Sequence, residues 1–451
     1  MAKQSGSNNK KITWWQLSLI GIGCIIGTGF FLGSSIAIKQ TGPSVIFAFL
    51  LAAIGTYIVF DALAKMTAAH PEKGSFRSYA KQAFGRWAGF SNGWVYWSSE
   101  MLIMGSQLTA LAIFTQFWFP DVSLWILSAI YGVLGLLVIL TGVNGFERFE
   151  NIFAVVKVAA ILMFIILALL AIFGLLNGER AENSFSINYD SLFTNGTLGF
   201  WTALIYAFYA FGGIEVMGIM ANDLEDPKQA PKSGKIMLLS LGLIYITSLG
   251  LALFLVPWDS FTTEESPFIV ALKDYNLAFI PHLFNGALII AGFSTMVASL
   301  YAITSMLVTL AKDGDAPAYL AKTGRVPFRA LTWTTSGLII SIVVSLLLPD
   351  QIYEYFTTAA GLMLLYTWLF ILITYRKLMK PQFIGKSKQG LGLLLIGFAI
   401  TGTWMDATSR KGFLISLAFL IVISLVTFSR RKRWKGPEIK ETPQSLFDKD
   451  R

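Results

Sequence analysis

The chain has 451 residues, of which 55% are hydrophobic and only 14% charged, with a formal net charge of +9. A soluble protein carries about 25% charged residues, and here the charge is missing from whole blocks of about twenty residues, the length that crosses a hydrocarbon core of roughly 30 Å. That distribution excludes a soluble enzyme and points to an all-α polytopic membrane protein.

Twelve spans are expected, at 15–38, 43–66, 88–118, 123–141, 150–175, 197–221, 235–257, 280–310, 332–349, 354–375, 390–405 and 412–429. Of the 35 Lys and Arg, 29 fall in the termini and the loops on their side, 5 in the opposite loops, and Lys157 lies inside span 5. The positive-inside rule then puts both termini in the cytoplasm, so the net charge reports topology and not nucleic-acid binding. The segments 1–14 and 430–451 read as cytoplasmic ends, and span 1 is too long for a cleavable signal peptide. With Cys24 the single cysteine, no intrachain disulfide forms. The chain carries no GxxxxGK[ST], no HExxH and two histidines, His70 and His282. ATP-driven transport, metal chemistry, a cofactor and enzymatic activity are therefore not expected.

Span 1 contains GIGCIIGTGFFLGSS (21–35), with Gly27-Thr28-Gly29 close to its midpoint. Small residues in a membrane helix commonly serve close packing. After span 2, the stretch 70–87 places Phe76, Tyr79, Ala80, Ala83, Phe84 and Trp87 on one helical face, with Arg77 and Lys81 elsewhere on the wheel. It reads as a short helix, either in the interface plane or packed under the bundle. Within span 3, Glu100 and Gln107 are seven apart and share a face, as a pocket wall or a helix–helix contact. Lys157 sits about seven residues into span 5, roughly 10 Å deep, where it either snorkels to the interface or acts inside the membrane.

Span 6 repeats the feature of span 1. Gly212-Gly213 lies near its centre, followed by Glu215, a buried-carboxylate candidate for handling protons. Asp223 and Glu225, at the membrane edge, read as caps and charge partners. Spans 1 and 6 are five apart and cross in opposite directions. Two interrupted spans in corresponding places of inverted halves mark the binding site of a secondary transporter. Unwinding frees backbone groups that lipid cannot hydrate, and a free amino acid matches them: carboxylate on half-helix amides, ammonium on freed carbonyls.

Four stretches carry a family resemblance. GIGCIIGTGFFLGSS with TGPS, HPEKGSFRSYAKQAFGRWAGFSNGWVYW, FYAFGGIEVMGIMANDLEDPKQAPK and LAKDGDAPAYLAKTGRVP run from residue 21 to about 330. Together they resemble the amino acid–polyamine–organocation superfamily, and within it the bacterial amino acid permeases. The resemblance implies a LeuT-type fold, with a 5+5 inverted repeat over 15–375 and two peripheral helices within 390–429. It implies amino acid uptake across a bacterial plasma membrane driven by an ion gradient, here protons. Carried over by position, Gly27, Thr28 and Gly29 would hold the carboxylate and the Ile25 carbonyl the ammonium. Phe208 to Gly212 would add carbonyls, and Tyr209 falls where relatives place an aromatic gate. Ser99 and Glu100 would face the substrate. Lys157 would stand where sodium-coupled members of the fold bind a cation.

The family's ELTA reads Gln107-Leu108-Thr109-Ala110 here, Ser305 replaces an Arg, and Asp223 replaces a Glu. With Thr28, Ser98, Ser99 and Glu100 near the site, the expected substrate is a small neutral or hydroxylated amino acid, with a cationic one paired to Glu100 left open. An amino acid exchanger and a non-transporting sensor on the same fold are the alternatives. The sequence does not give the oligomeric state.

Overall fold

A computed structural model describes residues 11–72, 74–176, 192–221, 224–275, 277, 279–322, 326–347, 352–431 and 434. Asp223 and most of the last twenty residues lie outside these, as do the first ten. The named elements among the described residues are all helices, and an isolated bridge joins Ile12 and Leu224. Eight helical segments are long and apolar enough to cross a membrane. One of the eight, 28–69, holds the later part of expected span 1 together with all of span 2.

The first expected span is three helices: α1 (Trp14–Ile25), α2 (Thr28–Phe31) and α3 (Gly33–Thr41). Gly42, at φ +67°, ends α3, and Pro43 opens the turn into α4 (Val45–Ala69). There follow α5 (Ser75–Phe84), α6 (Arg86–Gln116), α7 (Leu124–Leu140) and α8 (Val143–Ile172). The sixth span is again divided, into α9 (Gly196–Tyr209) and α10 (Ile214–Met220). The rest are α11 (Ala230–Leu255), the short α12 (Pro267–Leu272), α13 (Ile280–Lys312), α14 (Phe328–Leu347), α15 (Ile352–Met379), α16 (Phe383–Gly402) and α17 (Ala407–Arg431). Helix α16 begins seven residues before the expected 390, because its first two turns are too polar to count as a span.

Long α6 packs along both α13 and α15, α4 along α11, and α3 along α9. The divided helices therefore sit inside the bundle, while α7, α16 and α17 present many exposed apolar side chains, as lipid-facing helices do. Aromatic rings fill the core beside the first break: Phe30 stacks on Tyr245 at 3.7 Å and meets Phe268 at 5.3 Å.

Helix α5 settles the reading of residues 70–87 in favour of packing under the bundle. Phe76, Tyr79, Ala80 and Ala83 are buried, and so is Arg77, which the wheel had placed off the apolar face. Arg77 donates to Asp313 Oδ2 and Asp315 Oδ2, both at 2.6 Å, and to the Gly89 carbonyl at 3.2 Å. Arg86 Nε adds a bond to Asp315 Oδ1 at 3.2 Å. A guanidinium is buried at tolerable cost only when its fork is filled in this way. A methyl group added at Gly93 would lie 3.0 Å from Arg77 Cδ, so a glycine is what lets the guanidinium stem pass.

Candidate substrate site at two interrupted helices

The first break falls at Ile26-Gly27, with Ile26 at ψ 113° and Gly27 fully extended. Helical bonding resumes when Phe30 and Phe31 donate to the Gly27 carbonyl. The amides of Gly27, Thr28 and Gly29 therefore open a helix with no backbone acceptor among the described residues, and the Ile25 carbonyl has no backbone donor. Glycine is needed here for space, since extended backbone suits any residue. A methyl at Gly27 would lie 2.8 Å from Thr295 Cγ2, and one at Gly29 would lie 2.9 Å from Tyr209 Cδ1.

The second break spans Ala210 to Gly213. Gly213 adopts φ +109°, which a side chain would strain. The two breaks meet: a methyl on Gly213 would stand 3.8 Å from Ile25 Cα and 3.9 Å from the Cys24 carbonyl oxygen. Several of the carbonyls expected to serve a ligand from this segment already accept a bond within the protein. Phe208 and Tyr209 carbonyls accept from the Phe211 and Gly212 amides at 3.0 Å, and the Ala210 carbonyl accepts from Tyr245 OH at 3.1 Å. The turn engages the first two and Tyr245 the third, while the carbonyls of Phe211 and Gly212 have no backbone donor among the described residues. The Phe208 side chain also turns away, packing on Gly55 and Trp368.

Side chains from α6, α13 and α15 close around the breaks. Thr28 Oγ1 donates to Gln107 Oε1 at 2.6 Å, and Tyr353 OH donates to the Thr28 carbonyl at 2.9 Å. Tyr209 lays its ring against Gly29 and shares a 2.5 Å hydrogen bond with Ser106. Ser99 donates to the Ala360 carbonyl at 3.3 Å. Glu100 is buried beside Ser299 and Tyr96, one helical turn from Thr295 on α13. Tyr96 is buried too, its hydroxyl beside the Glu100 carboxylate.

The two candidates for proton handling each hold one break. Lys157 does not snorkel: it is fully buried, and its Nζ donates to the Gly23 carbonyl at 2.9 Å, one turn before the first break. A methyl at Gly23 would meet Ala154 Cβ at 2.5 Å, so α8 and α1 touch at this level. Glu215, also fully buried, accepts from the Gly213 amide at 3.2 Å and from the Trp368 indole. It caps the reopened helix and ties it to α15. Glu225 pairs its amide with the Ile12 carbonyl at 2.9 Å. Among the described residues no His, Cys, Asp and Glu gather as metal ligands.

Sequence reading overlooked Tyr353, Thr295, Ser106 and Trp368. Tyr353 lay one residue outside the expected tenth span. The other three are polar or amphipathic residues within apolar stretches, a signal that is legible but not specific.

The family described as "Amino acid permease" matches residues 16–432. The chain is similar to the Bacillus subtilis protein called "Uncharacterized transporter YcgH", 57% identical over 94% of this chain and 95% of that one. It is also similar to the aromatic amino acid transport protein AroP of Escherichia coli K12, at 28% identity over 91% of this chain and 89% of the relative. The gamma-aminobutyric acid permease of Bacillus subtilis is 27% identical over 95% of both. Two interrupted apolar helices in contact, inside a bundle matched almost end to end, identify the chain as a multi-pass membrane protein that belongs to the amino acid permease family.

Proposed function

We propose that the protein is a secondary active permease that carries a small neutral or hydroxylated amino acid into the cell together with protons. The observation that carries the reading is the contact of the two breaks, where the amides of Gly27, Thr28 and Gly29 and the Ile25 carbonyl stand without backbone partners. The amides suit a carboxylate, and the Ile25 carbonyl, with those of Phe211 and Gly212, suits an ammonium. The named substrates of the relatives, aromatic amino acids and γ-aminobutyric acid, have in common a carboxylate and an amine. Thr28 and Ser99 hydroxyls donate to protein carbonyls, which leaves their oxygens to accept from a substrate hydroxyl. Tyr209 serves as the aromatic gate over Gly29, and Glu100 faces the side chain.

In this reading the helices make twelve crossings, ten in two inverted five-helix halves and two peripheral, with both termini in the cytoplasm of a bacterium. Lys157 is the coupling group. Its ammonium braces α1 against α8 through the Gly23 carbonyl, and loss of the proton frees α1 to move. Glu215, which holds the other break, is the second proton site. Purified protein in proteoliposomes tests the whole reading with a panel of labelled amino acids. Uphill accumulation of a small neutral amino acid when the outside is made acidic is the expected result. Exchange unaffected by the gradient indicates an exchanger, and binding without uptake indicates a sensor; either contradicts the proposal.

A further inference from the structure

We propose that the corner between α15 and α16 is a docking site for the headgroup of an anionic phospholipid. Arg376 and Lys377 stand in the last turn of α15, Lys380 in the three-residue link, and Lys386 in the first turn of α16, all four exposed. Lys65 of α4 and Lys388 of α16 join them by sharing one carboxylate, Asp61, at 2.9 and 2.6 Å. Among the described residues Asp61 is the one carboxylate in an ion pair with any of these six cations. The corner is therefore strongly positive and short of internal partners.

Charge alone would suit any phosphate. What selects a lipid is the apolar pair in the midst of it. Phe383 and Ile384, the first two residues of α16, are 82% and 83% exposed, more than any other large apolar side chain among the described residues. Exposed apolar side chains amid cations suit a membrane surface, where the pair would reach past the headgroups while the cations meet the phosphates. Gln382 gives no side-chain cap to α16, which leaves the first amides of that helix as further donors to the same oxygens. The site also abuts the packed helix α5: Lys377 Nζ lies 4.3 Å from the Phe84 ring centre, and Phe370 meets Phe84 and Trp87 at 5.7 and 6.3 Å.

Native mass spectrometry of the full-length protein tests this without reference to transport. The protein is offered phosphatidylglycerol and phosphatidylcholine with identical acyl chains, with and without excess inorganic phosphate. Wild type should retain phosphatidylglycerol in preference. The variant Arg376→Gln, Lys380→Gln, Lys386→Gln should retain one fewer, as should Phe383→Ser, Ile384→Ser, while Lys228→Gln with Lys312→Gln retains the full number. Equal retention of the two lipids by wild type overturns the site, and that comparison needs no variant to fold. Full retention by both corner variants overturns it as well. Displacement of phosphatidylglycerol by inorganic phosphate would make free phosphate the ligand and also overturn the lipid.

Discussion

Gly29 and Gly213 show two different reasons for a glycine at a membrane helix break. Gly213 is required by its left-handed backbone, Gly29 by the Tyr209 ring lying where a side chain would go. If the open amides hold the substrate carboxylate as proposed, valine at 29 would push Tyr209 off and displace that carboxylate. Losing one charge-assisted contact costs about 1.5–3 kcal/mol, so Gly29→Val should weaken amino acid binding by about 10- to 100-fold while the protein still inserts. Near-normal affinity in a binding assay would reduce these glycines to packing residues. Glu100 makes a separate forecast. If its carboxylate faces the substrate side chain, Glu100→Gln should alter which amino acids compete for uptake more than it alters the maximal rate. A competition profile unchanged across neutral, acidic and basic amino acids would remove it from the pocket.

At the scale of elements, α5 shows how far a sequence pattern reaches. The apolar face at i, i+3, i+4 and i+7 was legible, and the helix is there. The burial of Arg77 was not, because its partners Asp313 and Asp315 are more than two hundred residues away and only the fold brings them together. The same limit explains Tyr353, whose bond to the Thr28 carbonyl crosses from α15 to the first break. By contrast, both breaks were legible to within a residue or two, since unwinding is a local demand that glycine answers locally. Phe208 marks the boundary between the two cases: the turn was expected, but the engagement of its carbonyl depended on how tightly the turn closes. Because Arg77 joins α5 to α6 and to the loop after α13, removing it leaves Asp315 buried with Arg86 alone. Arg77→Gln should cost about 3 kcal/mol and lower the unfolding temperature of the purified protein. Arg77→Lys should recover little of it, since an ammonium cannot fill two carboxylates and a carbonyl in fork geometry. Unchanged thermal stability in Arg77→Gln would show the cluster to be structurally idle.

For the whole molecule, the proposed mechanism rests on the two buried groups at the breaks. Each interrupted helix is tied to a neighbour, the first through Lys157 to α8 and the second through Glu215 and Trp368 to α15. On the proposed function, a substrate lying between the breaks touches both segments, and a proton on Lys157 decides whether α1 is braced. In that mechanism binding and access are linked through one turn of helix, which is the physical content of coupling. The direct measurement compares wild type with Lys157→Ala in the same proteoliposomes, reading substrate exchange at equal pH and accumulation under an imposed pH gradient. With the brace removed, exchange should persist at least in part, and accumulation driven by the gradient should vanish. Full pH-driven accumulation by the Lys157→Ala protein would contradict the coupling role of Lys157 and leave Glu215 as the group to test.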